Sequence, residues 1–132
     1  MKNDSTLPQS LLIVDDDDGI RQVASLALTR VGGFNVTSVP SGAKAIAYIQ
    51  TNTVDVIILD VMMPLMDGPT TLEEIRRLEN ARHTPVIFLT AKALPSELEK
   101  LSRLGVIGVL TKPFDPMTLS LQIRELLEKA DL

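Results

Sequence analysis

Three short runs in this chain, residues 11–14 (Leu-Leu-Ile-Val), 56–59 (Val-Ile-Ile-Leu) and 85–89 (Pro-Val-Ile-Phe-Leu), show almost no polar interruption. Such runs mark strands covered on both faces, which a parallel sheet between two helical layers provides. The second begins at Val54, with Asp55 its one break. Between the runs the apolar period changes. Ile20, Val23, Ala24, Ala27, Leu28 and Val31 recur at helical spacing and predict a helix with one buried face, ended by Gly32-Gly33. Residues 34–39 alternate, as a half-exposed edge strand does. Ser41 caps a small-residue helix reaching about Gln50, and Asp67 caps one containing Leu72, Ile75 and Leu78. Leu94, Leu98 and Leu101 line a fourth helix stopped by Gly105, and residues 106–110 form a last strand. Asp115-Pro116 opens a final helix with Leu119, Ile123, Leu126 and Ala130 inward. Strands and helices in alternation predict an α/β fold, preceded by a disordered lead-in over residues 1–10.

Composition excludes several functions. A chain of 132 residues fits one domain. Its net charge of −4 has the wrong sign for affinity built on phosphate contacts, and without Trp and with one Tyr it has no stacking platform. Direct nucleic-acid binding is therefore not expected. Absence of cysteine removes disulfides, thiolate zinc sites and a cysteine nucleophile, and one histidine cannot make a His-rich metal site. No apolar run approaches the ~18 residues of a membrane helix, and the polar start MKNDSTLPQS is no signal peptide. A cytoplasmic protein without membrane insertion is expected.

Ligands of doubly wound sheets sit beyond the carboxyl ends of the strands. Those ends carry Asp15-Asp16-Asp17-Asp18, Asp60, Thr90 and Thr111-Lys112. Asp17 and Asp18 read as solvated residues, one of them capping the first helix. Asp15, Asp16 and Asp60 emerge from buried strands, and three converging carboxylates call for a cation. Few hard oxygen ligands suit Mg²⁺. Asp60 is the candidate nucleophile for an acyl phosphate, Lys112 a point charge for a phosphoryl oxygen and Thr90 a hydroxyl for another. Taken singly, Lys112 reads as a surface lysine and Thr90 as a strand-end cap. Their joint occurrence at the strand ends favours the site.

The segments LLIVDDDDGIR, VDVIILDVMMPLMDG, PVIFLTA and LTKPF resemble, in order and spacing, the receiver domains of two-component response regulators, over about residues 11–127. The resemblance implies a flavodoxin-like doubly wound (βα)5 fold with strand order 2-1-3-4-5 and a receiver domain over residues 11–130. It implies a phosphoryl group passed to Asp60 from a histidine kinase or phosphotransfer protein, switching a surface for a downstream protein target or output domain. Asp16, Asp60 and the Met62 backbone carbonyl would bind Mg²⁺ (or Mn²⁺) directly, and Asp15 through water. Thr90 and Lys112 match the switch hydroxyl and phosphoryl-contacting lysine, and the Lys112–Pro113 bond matches a cis peptide. Met62 and Lys92 occupy the positions that tune phosphoryl lifetime. Two departures stand out. Val109 replaces the Tyr or Phe expected three residues before the lysine, and no output region follows the last helix, so the chain is a stand-alone regulator or the receiver part of a longer one.

Competing readings fare worse. A haloacid-dehalogenase-type phosphatase needs Asp two residues after its nucleophile, where Met62 stands, so turnover of external phosphoesters is not expected. A dinucleotide site needs glycines where this loop is acidic. A phosphorylation-independent binding module remains the alternative, favoured by Val109 and opposed by Asp60, Thr90 and Lys112. His83, in NARHTP, reads as a solvated loop residue rather than a phosphoryl carrier. Met62, Met63 and Met66 beside Pro64 read as a loop packed near the site, not a cofactor pocket.

Overall fold

The computed structural model describes residues 9–131. Five strands, β1 (Ser10–Val14), β2 (Asn35–Val39), β3 (Val56–Asp60), β4 (Val86–Thr90) and β5 (Gly108–Thr111), form one parallel sheet in the order β2-β1-β3-β4-β5. They alternate with α1 (Asp18–Arg30), α2 (Gly42–Thr51), α3 (Gly68–Arg76), α4 (Pro95–Ser102) and α5 (Leu119–Ala130), with a short 3-10 turn at Glu79–Ala81.

The register explains the unbroken apolar runs. Leu12 pairs with Ile57 and Ile57 with Val86, and the side chains of successive residues alternate between two cores. Leu12, Val14, Ile57, Leu59, Val86 and Phe88 pack with Ala45, Ile49, Leu72, Ile75 and Leu101 from α2, α3 and α4. Leu11, Ile13, Val56, Ile58, Ile87 and Leu89 pack on the other face with Ala24, Leu28, Leu119 and Ile123 from α1 and α5. Each fully buried aliphatic side chain contributes about 1.5–3 kcal/mol, so the three central strands anchor everything attached to their ends. The alternating segment is indeed an edge strand with exposed and half-buried residues.

Several boundaries move, each for a visible reason. Residues 1–8 of the expected lead-in lie outside the described residues, but Ser10 already belongs to β1. Its N–H and hydroxyl donate to Asp55 Oδ2 (2.8 and 3.2 Å), and Asp55 N–H returns a bond to Ser10 Oγ (3.0 Å). Asp55 thus closes the start of β3 onto β1. Val23 in α1 and Val31 at its C-cap are 46% and 48% exposed, because Ala24, Ala27 and Leu28 form a narrower buried stripe. Leu94 precedes α4 and is 64% exposed, which leaves Leu101 as that helix's buried residue. The last strand starts at Gly108 instead of residue 106. Asp115-Pro116 makes a turn rather than the helix start. Asp115 Oδ1 accepts from Met117 N–H (2.9 Å) and its carbonyl from Leu119 N–H (3.0 Å), and α5 begins at Leu119. At the other end of α5, Ala130 is exposed.

Candidate functional site

The carboxyl ends of β1, β3, β4 and β5 meet at one edge. Asp15 directly follows β1, Asp60 ends β3, Thr90 ends β4 and Lys112 follows β5. Asp60 pairs with Leu89 and Thr90 with Thr111, so the backbone register carries all of them to the same level. Asp15, Asp16 and Asp60 each bring a carboxylate oxygen within 4.8 Å of the others. Asp15 and Asp60 are buried, whereas Asp16 is exposed at the mouth. Asp17, as one of the two expected candidates, caps α1 by accepting from Ile20 N–H at 3.0 Å.

Lys112 is the charge inside this cluster. Its Nζ lies 3.0 Å from Asp15 Oδ2 and 3.2 Å from Asp60 Oδ1. Asp15 Oδ1 accepts from Asp17 N–H at 2.9 Å. Asp15 Oδ2 faces Lys112 as an ion pair but lacks the alignment of a hydrogen bond. Burial, then the charge of Asp15, push the Asp60 carboxyl up to about 6, against the pull of Lys112 and of Met62 N–H. Burial pulls the Lys112 ammonium down, yet its close contact with the Asp15 carboxylate, together with its charge contact and bond to Asp60, outweighs that and holds it above its ordinary value. One lysine therefore compensates three carboxylates incompletely. A buried carboxylate oxygen without a hydrogen bond, two further oxygens within reach and an open mouth at Asp16 fit a small, hard divalent cation.

Thr90 is buried, and its Oγ1 accepts from Lys92 N–H at 3.1 Å. It does not cap α4, whose N-cap residue Leu94 makes no side-chain bond. The Lys112–Pro113 peptide is cis, as the motif implies. Met62 is 56% exposed while Met63 is buried in the core. Met62, Met63, Pro64, Thr90, Lys92 and Glu97 line a groove of about 540 Å³ beside the carboxylates. Val109 is half-buried against the core that contains Phe88 and Leu101. His83 is exposed and lines a separate cavity of about 700 Å³ with Thr84 and Pro85, at the opposite end of the sheet.

Two residues near the site escape sequence reasoning. Gly68 presses against the end of β3: a Cβ there would stand 2.5 Å from Asp60 O and 2.8 Å from Val61 Cα. Its N–H donates to Val61 O at 2.8 Å. The cue is a glycine following the Asp67 cap, and the close approach itself is tertiary. Arg21 is the other. It lies one turn into α1 and reaches back to the acidic loop, donating to Asp15 O at 2.7 Å.

A parallel 2-1-3-4-5 sheet with an acidic triad and a lysine at its carboxyl edge defines the receiver class. Residues 11–124 match the response regulator receiver domain, and the chain belongs to that family of two-component systems. The response regulator Rre1 of Synechocystis sp. is 34% identical over 122 residues, covering 92% of this chain and 53% of its own length. The transcriptional regulatory protein YvrH of Bacillus subtilis is 38% identical over 122 residues, covering 91% and 49%. The chain thus spans about half the length of the curated relatives it matches. Among solved structures, Vibrio cholerae CheY4 superposes with a TM-score of 0.84 at 33% identity, covering 91% of this chain and 99% of that one. The receiver domain of the Pseudomonas aeruginosa sensor histidine kinase PA1611, solved with magnesium in its active-site cleft, gives 0.81 at 31% identity over 92% of this chain and 99% of that one. Receiver domains of this family bind Mg²⁺ at such an acidic site. Among the described residues no helix is long and apolar enough to cross a membrane.

Proposed function

We propose that Asp60 is the phosphoacceptor of a switch spanning residues 11–130. The observation that carries this reading is the buried Asp60 carboxylate, set within the acidic triad with Lys112 Nζ 3.2 Å away. The Asp60 oxygen attacks the phosphorus of a phosphohistidine in line. The P–O bond forms as the P–N bond breaks, and the imidazole leaves with the electron pair. Burial leaves the carboxylate poorly solvated and so a better nucleophile once deprotonated.

Asp16, Asp60 and the Met62 carbonyl would hold Mg²⁺, with Mn²⁺ as a substitute, and Asp15 would act through water. Bound there, the cation offsets the negative charge that otherwise keeps a phosphoryl group away from the carboxylates. Lys112 turns from the carboxylates to a phosphoryl oxygen, and the Thr90 hydroxyl donates to another. Val109, being aliphatic, passes the change on by packing against the α4 side of the core instead of by swinging an aromatic ring.

The donor is a histidine kinase or phosphotransfer protein, and the receiver of the signal is a protein target or output domain. Relatives about twice as long are transcriptional regulators, but this domain's net charge of −4 supports protein contacts rather than direct nucleic-acid contacts. With Met62 two residues beyond Asp60, a thioether stands where a phosphatase of external phosphoesters would carry its general acid. The cytoplasm is where such a partner set is found.

The experiment is mass spectrometry of the protein with acetyl phosphate. A Mg²⁺-dependent gain of one phosphoryl group, absent in Asp60→Asn, is expected. No gain, or a gain that survives the substitution, overturns the assignment and leaves a phosphorylation-independent binding module.

A further inference from the structure

The exposed Asp16 carboxylate makes no hydrogen bond or ion pair among the described residues, so its own contacts do not aim it at Asp60. Its direction depends on the backbone from which it departs. The carbonyl of Asp15 and the amide of Asp16 form one planar unit, and whatever grips that oxygen fixes the plane. Arg21 grips it. Nη1 donates to Asp15 O at 2.7 Å, and Nη2 bonds Asp18 Oδ1, which anchors the guanidinium on the first residue of α1. The Arg21 side chain is only 17% exposed. The other ties of the loop fall elsewhere: Asp15 N–H donates to Val39 O (3.2 Å), and Asp17 N–H to Asp15 Oδ1 (2.9 Å).

We propose that Arg21 is a positioning residue of the cation site: its two-pronged grip on the Asp15–Asp16 peptide and on Asp18 holds the Asp16 carboxylate toward Asp60. This rests on the triad being the site of a divalent cation. Charge alone argues in the opposite direction. A guanidinium beside the triad repels a second cation, so a purely electrostatic Arg21 would weaken Mg²⁺ binding, and its removal would tighten it. The sign of the effect separates the two.

The test is calorimetric titration of the full chain with MgCl₂ in the parent, Arg21→Ala, Arg21→Lys and Asp16→Asn, together with amide exchange at Asp17 in EDTA. Arg21→Ala is expected to weaken Mg²⁺ binding roughly 10-fold, the scale of losing a group that orients a ligand, and to speed Asp17 exchange without metal. Arg21→Lys keeps the charge but loses the fork and is expected to fall between. It also serves if Arg21→Ala does not fold. Unchanged or tighter binding in Arg21→Ala, or parental binding in Arg21→Lys, overturns the inference while the site stands, provided Asp16→Asn binds weakly. Parental Mg²⁺ affinity in Asp16→Asn removes the site itself, and the role of Arg21 with it.

Discussion

Lys112 stands 52 residues beyond Asp60 in the chain, yet its Nζ lies 3.2 Å from Asp60 Oδ1. The two come from strands that do not touch, with β4 between them. Lys112 N–H donates to Thr90 O at 2.8 Å, which ties the lysine backbone to the end of β4 and lets its side chain span the gap. Charge that appears at Asp60 is therefore felt directly at the start of the β5–α5 loop.

Lys112→Ala should leave some phosphorylation but blunt the structural response. Amide shift changes on adding beryllofluoride are expected to extend through β5 and α4 in the parent, past Val109, and to shrink to the strand-end loops in the variant. Changes confined to those loops in the parent would contradict transmission by packing.

The Asp60 carboxyl sets a pH dependence in metal-free protein. Its pKa stands at about 6 against an ordinary 3.8, because burial and Asp15 outweigh Lys112. Between these values the folded chain binds more protons than the unfolded one, so stability falls as pH rises and the loss is complete above about 6. At 1.36 kcal/mol per unit the effect is of order 3 kcal/mol. Asp60→Asn in EDTA should therefore be more stable than the parent at pH 8, with the difference fading towards pH 4. Thermal unfolding across that range checks it, and a difference that grows on acidification would be the wrong sign.

Gly68→Ala should disturb the site more than the fold. Its Cβ would meet backbone at 2.5 Å, the carbonyl of Asp60 itself, and no side-chain rotation relieves that. The cost is of order 1–3 kcal/mol, with phosphorylation by acetyl phosphate slowed at least tenfold. Gly32→Ala is the control, because its Cβ would meet Ser120 Cβ, also at 2.5 Å, remote from Asp60. If Gly32→Ala slows phosphorylation equally, loss of stability alone accounts for both.

The phosphoryl group should be long-lived. If Asp60 carries the phosphoryl group as proposed, water attacking in line would pass the side chains at 62 and 92, both exposed beside the Thr90 groove. The Met62 thioether cannot orient water and partly shields phosphorus, while Lys92 offers donors only. Absence of such positioning is worth about 10²-fold in rate. A half-life of many minutes is expected after acetyl phosphate is removed in Mg²⁺, shortened in Met62→Asn with Lys92→Glu. Decay within seconds, or no acceleration in the double variant, refutes this.

Sequence alone determined which residues stand at the strand ends. An apolar run can be buried on both faces only as far as it stays apolar, so the polar residue that ends it must lie at the rim of the sheet. That logic places Asp15, Asp60 and Thr90, and local cap chemistry places Ser41 and Asp67 and narrows the α1 cap to Asp17 or Asp18. The tertiary structure decided what depends on neighbours distant in the chain. Val23, Val31 and Leu94 have helical spacing but are exposed, because the width of a buried stripe is set by the element packed against it. Asp115-Pro116 does make a cap's local bonds, Asp115 Oδ1 accepting from Met117 N–H and its carbonyl from Leu119 N–H, yet the regular helix begins only at Leu119. Lys112 between two carboxylates, Gly68 against Asp60 and Arg21 on the Asp15 carbonyl are distances between separate segments, and hydrophobic periodicity carries no information about distance across a sheet.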